Sequence, residues 1–301
     1  MNRLYNSHMN NTHLDERLIV TVADDFGRSS SVNLAVAEAR RRGVLTSASI
    51  MAGGEAFEEA VSIATDLRLC VGVHVTLCDG RAVLPGSVIP DLAGPDGRME
   101  KSPSAAWLRF MRRGILPQIE AEVDAQFDRI EKAGIQAAYV NSHHHLHMHP
   151  VVFDVVCRQA SRRGIFWVRF PAEPLPVVLG LRSPSRGLMP FIEWAVFGML
   201  SVYNLRTAGK YGMRAARRVY GLSRTEDVDE GYLLNILSRI DSPMSEFFVH
   251  PDTATSSGRR ELEALTSTEV RKRLDSLGIT PTGYGKVSGP LMVHKTAGGL
   301  P

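Results

Sequence analysis

A chain of 301 residues is long enough for one large domain or two ordinary ones, each able to bury a sizeable core. With 44% hydrophobic and 22% charged residues it sits near the averages for folded globular proteins, which excludes disorder or fibrous structure as the main state. Lys and Arg number 35 against 32 Asp and Glu, and a net charge of +3 is too weak to indicate a nucleic-acid partner.

Residues 1–17 are polar, lack the apolar run of a secretion signal, and read as a flexible tail ahead of a single domain over 18–301. Residues 18–23 (LIVTVA) read as the first strand. Ser29, Ser30 and Ser31 offer N-caps to an amphipathic helix over 32–42, which Gly43 stops. A strand over 47–51, a helix over 56–66 and a strand over 69–77 follow. Residues 79–103, rich in Gly, Pro and Asp, read as a long loop, a feature that in compact domains often carries function. Ile119, Val123, Phe127 and Ile130 recur at helical spacing within a helix over 117–134, which leads into a strand over 137–141. A helix over 151–163 and strands over 165–170 and 246–249 complete the alternation of an α/β domain with parallel strands.

Between those last two strands lies a different kind of segment, a helical insertion over about 186–222. Its apolar stretch over 188–205 is followed by Arg206, Lys210, Arg214, Arg217 and Arg218, with no acid between Glu193 and Glu226. Two readings fit: a helical pair packed on the domain with a solvated basic face, or a surface that lies on a membrane or covers a lipid-like substrate. The same segment is compatible with a homodimer. Its uncharged run, 194–205, falls short of the roughly 20 residues that span a bilayer. Cys70, Cys78 and Cys157 are odd in number and match no CxxC spacing, so buried thiols in a reducing, cytoplasmic compartment are expected.

Polar groups cluster at the strand ends: Asp24 and Asp25, His74, the tract His143, His144, His145, His147 and His149, then Arg169 and His250. Barrels and open parallel sheets build active sites this way. Adjacent carboxylates are costly to ionise together unless a cation neutralises one, so Asp24 and Asp25 suggest a metal. Asp25, His74 and His143 complete a two-His, one-carboxylate set with open positions, the pattern of catalytic metal sites. In extended backbone His143, His145, His147 and His149 would share one face, some binding metal and others, His145 and His147 among them, orienting substrate alongside Glu173. Arg169, a candidate catalytic residue with Asp24 and His250, can pair with Asp24 or with Glu173. His250 is a candidate general acid for a leaving amine. Asp-Phe-Gly alone suggests a kinase, but the Gly-rich loop, strand lysine and catalytic loop are missing.

VADDFG, VHVTL, NSHHHLHMHP, RFPAE and VHPD, in that order from about 18 to 252, resemble the YdjC-like carbohydrate deacetylases. The resemblance implies an irregular, TIM-like (β/α) barrel, a divalent metal (zinc first, then magnesium, cobalt, nickel or manganese) and removal of acetyl from an N-acetylated amino sugar. By motif, Asp25, His74 and His143 would be the ligands and Asp24 the base, with His250 protonating the departing amine. Asn141 stands where chitooligosaccharide deacetylases of the family carry Asp, which bears on fine orientation and substrate choice. ADDFGRS, HVTLCDGR and HPDT are similar to the hopanoid-biosynthesis-associated branch, implying an N-acetylglucosaminyl hopanoid as substrate and work at the inner membrane surface. The alternatives are a deacetylase of soluble chitooligosaccharides and, in another class, a non-catalytic metal-binding or lipid-surface protein.

Overall fold

The computed structural model describes residues 17–171, 173–181 and 183–287. The elements run β1 (Arg17–Phe26), α1 (Ser30–Arg42), β2 (Ser47–Ile50), α2 (Phe57–Asp66), β3 (Cys70–Val75), α3 (Pro103–Arg109), α4 (Leu116–Lys132), β4 (Tyr139–Ser142) and α5 (Pro150–Arg162). They continue with β5 (Trp167–Val168), α6 (Leu175–Leu181), α7 (Met189–Lys210), β6 (Arg218–Tyr220), α8 (Glu230–Leu237), β7 (Met244–Val249), α9 (Ser256–Thr266), α10 (Thr268–Leu277) and β8 (Ile279–Pro281).

All strand pairings between these elements are parallel, in the order β5-β4-β3-β2-β1-β7-β6. β8 joins the first residues of β1, on the side that β2 takes over further along. A parallel bridge from Trp167 to Arg214 ties β5, one edge of the sheet, to the chain entering β6 at the other. The sheet therefore curls into an irregular (β/α) barrel, as expected. Parallel strands place all their C-terminal ends at one end of the barrel, where the polar residues of the sequence motifs gather.

The helices form where their local signals place them. Ser29 Oγ accepts a hydrogen bond from Val32 N at the start of α1, and the helix stops at Gly43, where a Cβ would lie 2.4 Å from Leu265 O. α4 turns Ile119, Val123, Phe127 and Ile130 into the core, each burial stabilising the fold by about 2 kcal/mol. All three cysteines are free thiols.

Three expectations change. Arg17, assigned to the tail, is the first residue of β1; the rest of that tail lies outside the described residues. The insertion is α6 followed by one long helix, α7, and its last part returns to the sheet as β6, too short a strand to stand out within a basic run. The histidine tract is not extended: residues 143–148 form a tight 3-10 turn in which His144 (φ 51°) and His145 (φ 54°) are left-handed. Among the described residues no helix is long and apolar enough to cross a membrane.

Candidate active site

In a regular strand neighbouring side chains point to opposite faces, so Asp24 and Asp25 could not both face one site. β1 solves this at its end. Its register against β2 shifts between Ala23 and Phe26, and Asp25 takes a left-handed conformation at φ 61°. Both carboxylates then line a cleft of about 620 Å3 over the barrel's C-terminal end, together with His74, His143, His144, His145 and His250.

Asp25 Oδ1 lies 3.1 Å from His74 Nε2 and 2.8 Å from His143 Nδ1. One ligand atom from each of the three residues falls within 4.8 Å of the others. Asp25 Oδ1 and His74 Nε2 are buried and have no hydrogen-bond partner in this arrangement, a costly state for polar atoms unless a cation lies between them. Two imidazoles and a carboxylate suit a divalent metal, so these residues fit one. Burial opposes ionisation of Asp25, but His143 overrides it and holds the carboxyl well below its usual range. His143 is in turn pushed up to about 9, Asp25 again prevailing over burial, so a metal taken up here would displace a proton from this imidazole.

His74 is oriented by a residue on the next strand. His74 and Asn141 are register partners in β3 and β4, so their side chains stand side by side. His74 Nδ1–H donates to Asn141 Oδ1 at 2.7 Å, which leaves the Nε2 lone pair for the metal site. The Asn141 amide donates to Asp24 Oδ1 at 3.0 Å and to Ser49 Oγ at 2.9 Å. An Asp here could not donate to Asp24, so Asn141 couples the first ligand to the second carboxylate without adding charge.

Asp24 is held differently. Arg169 donates to both of its oxygens, at 2.5 and 3.1 Å, and also pairs with Glu246. Burial disfavours the Asp24 carboxylate, yet the guanidinium prevails and holds its pKa far below the ordinary value. Tyr284 donates to Glu246, and Arg169 packs 4.5 Å over the Phe248 ring, completing a buried chain from the last 3-10 turn to the cleft. Arg169 is fully buried and absent from the cleft wall. It pairs with Asp24 rather than Glu173, and so reaches the cleft through that carboxylate.

Two of the three residues assigned to substrate lie elsewhere. His147 is wholly buried, its Nδ1 with Ser142 Oγ at 2.7 Å and its Nε2 donating to Arg169 O at 2.8 Å. Both nitrogens are therefore committed, and burial lowers its pKa to about 3. Glu173 accepts from Gly221 N, Ser223 N and Tyr232 Oη, each at 2.9 Å, and so pins the turn after β6. Neither lines the cleft. His145 does, with Nδ1 buried and unpartnered and its ring edge-on to Phe248 and Phe197. His250 also lines it, its own Nδ1 buried and unpartnered, while its backbone N–H is fixed by Glu261. His149 caps α5 and stacks edge-on against Trp107.

Sequence reasoning missed Arg28, which donates to Asp25 Oδ2 at 3.1 Å and to Asp79 Oδ2 at 2.9 Å, leaving Asp25 Oδ1 turned toward the two imidazoles. Its place directly after Asp-Asp-Phe-Gly was the available signal. Arg186 and Glu193, ion-paired at 2.8 Å on the opposite wall, carried no motif.

The model of the YdjC-like protein family matches residues 17–276. The chain belongs to this family. Among curated relatives, a carbohydrate deacetylase of Brevibacillus brevis is 37% identical over 156 residues, covering 52% of this chain and 59% of its own length. A carbohydrate deacetylase of Geobacillus stearothermophilus is 38% identical over 170 residues, covering 56% and 64%, and a chitooligosaccharide deacetylase of an Enterobacter species is 36% identical over 155 residues, covering 50% and 58%. The chain thus spans about six-tenths of the length of these relatives. A solved structure from Enterococcus faecalis, named for cellobiose-phosphate cleavage, superposes with a TM-score of 0.67 over 90% of this chain and 98% of its own, at 22% identity, and shares the fold.

Proposed function

We propose that this YdjC-like protein is a metal-dependent N-deacetylase that removes acetyl from an N-acetylglucosamine group. The reading is carried by the buried, unpartnered pair Asp25 Oδ1 and His74 Nε2, joined by His143 and set beside an ionised Asp24 in a cleft. Asp25, His74 and His143 would hold the divalent cation, zinc first, which when bound supplies Lewis-acid chemistry: it acidifies water and stabilises negative charge. Asp24, kept ionised by Arg169, takes the proton of the water that attacks the acetyl carbon. His250 delivers a proton to the sugar nitrogen as the C–N bond breaks, giving acetate and a free amine.

The finer substrate is an N-acetylglucosaminyl hopanoid, met at the inner membrane surface. Its support is the apolar wall that α7 gives the cleft, through Ile192, Val196 and Phe197. The names of the curated relatives favour a second reading, soluble chitooligosaccharides. Acetate release from an N-acetylglucosaminyl hopanoid and from diacetylchitobiose, each with and without chelator, tests both. Chelator-sensitive release from the hopanoid alone supports the lipid substrate, and release from the disaccharide alone overturns it while keeping the chemistry. Release from neither, with metal bound, favours a non-catalytic metal-binding protein.

A further inference from the structure

α7 carries an outward stripe at Met189, Ile192, Val196, Met199, Tyr203, Arg206 and Lys210, steps of three and four residues that keep all seven on one helix face. All seven are exposed. The stripe runs for about 30 Å, apolar from Met189 to Tyr203 and basic at its end. It begins at the cleft, where Ile192 and Val196 also form the wall. α3 lines the same cleft through Pro103, Ser104 and Trp107. Just beyond it Leu108 is 66% and Met111 68% exposed, matching 65% for Met199 and 67% for Tyr203 on the first lip. Exposed Arg112 and Arg113 follow, and no acid occurs between Glu100 and Glu120. Both lips of one cleft thus present bare apolar side chains with cations beside them.

We infer that these two lips form a docking face for an anionic lipid bilayer, with the cleft mouth opening onto the membrane surface. Apolar side chains would enter the acyl boundary while the arginines and Lys210 meet headgroup phosphates. Exposed apolar rows of this extent mark interaction surfaces, and the same chemistry on both lips fits one broad anionic partner. A second copy of the chain laid on the α7 stripe would cover Ile192 and Val196 and obstruct the cleft. The docking itself stands apart from the deacetylase reading; that it presents a lipid-linked sugar to Asp24 rests on that reading.

The full chain is sedimented with vesicles of phosphatidylcholine and with vesicles that also contain phosphatidylglycerol. Binding is expected to the anionic vesicles and to weaken with salt. The double variant Arg112→Gln, Arg113→Gln lowers partitioning about thirtyfold, near fivefold per cation, and Met199→Glu lowers it about tenfold. Acetate release from soluble diacetylchitobiose by Met199→Glu stays within about twofold of the parent, showing that the variant folds. Intact soluble activity with no sedimentation on anionic vesicles overturns the inference. So does a dimer on a sizing column that Met199→Glu dissolves while vesicle binding is absent. If diacetylchitobiose is not cleaved yet the vesicles bind, the docking face stands, the far-ultraviolet spectrum of Met199→Glu reports its folding, and acetate release from the N-acetylglucosaminyl hopanoid decides the deacetylase reading.

Discussion

Asp24 carries an internal tension. Its low pKa keeps it in the accepting form at any physiological pH but makes it a weak base, so in the proposed role it would need water whose own acidity had been raised. Asp24→Asn is therefore expected to lose at least about a hundredfold in turnover while retaining metal. Acetate release measured beside metal content checks this, and near-parental turnover would remove Asp24 from the base role. His74→Ala and His143→Ala should each lose stoichiometric metal. Asn141 gives a subtler expectation. Without its Oδ1, His74 loses the bond that fixes its tautomer, so Asn141→Ala should weaken zinc binding about ten- to a hundredfold, read by calorimetric titration. An unchanged affinity would show that burial alone orients the ring.

At the scale of elements, the turn after β6 shows how an acidic residue within a sequence motif can be structural. Glu173 holds two backbone N–H groups there, and Gly221 sits at φ 118° with a Cβ position only 2.4 Å from Phe248 O. Glu173→Gln leaves one of those donors facing an amide NH2, which costs about 1–3 kcal/mol. The melting temperature should fall by several degrees while KM for substrate holds, and a raised KM at unchanged melting temperature would return Glu173 to the substrate. Strands with long apolar runs, such as β1 and β3, were legible in the sequence, as were the caps of α1 and the buried face of α4. β6 and β8, three residues each, were not, because pairing with β7 and β1 defines them rather than any local pattern. The ligand trio was legible because each member ends or abuts a readable strand. The roles of His147, Glu173 and Asn141 were not, since each depends on contacts made across the barrel.

The whole molecule is tied to its site by the buried chain Tyr284, Glu246, Arg169 and Asp24, which crosses from the final 3-10 turn through β7 to β1. One guanidinium there faces two carboxylates, and burial raises the pKa of Glu246 against the pull of Arg169. Removing the cation leaves buried, uncompensated charge. Arg169→Met is expected to destabilise the fold by roughly 3–5 kcal/mol and to abolish activity, whereas Tyr284→Phe, which deletes one hydrogen bond, should cost only about 1 kcal/mol. Denaturant unfolding separates the two, and equal losses would mean that Tyr284 carries the chain's stability.

Asp25, His144, His145 and Glu226 all line the cleft in the left-handed region, where a residue with a side chain costs about 1 kcal/mol or more relative to glycine. Four such positions within one site make it a place where the barrel can be improved as a scaffold. A screen that rewarded heat resistance alone would be drawn to glycine at His144, His145 and Glu226, whereas Asp25→Gly would gain the same relief of strain but strip His143 and Arg28 of their carboxylate partner. Directed evolution of this chain therefore has to couple survival to turnover in every round, because at a cleft position such as His145 relief of strain and contact with substrate are selected in opposite directions.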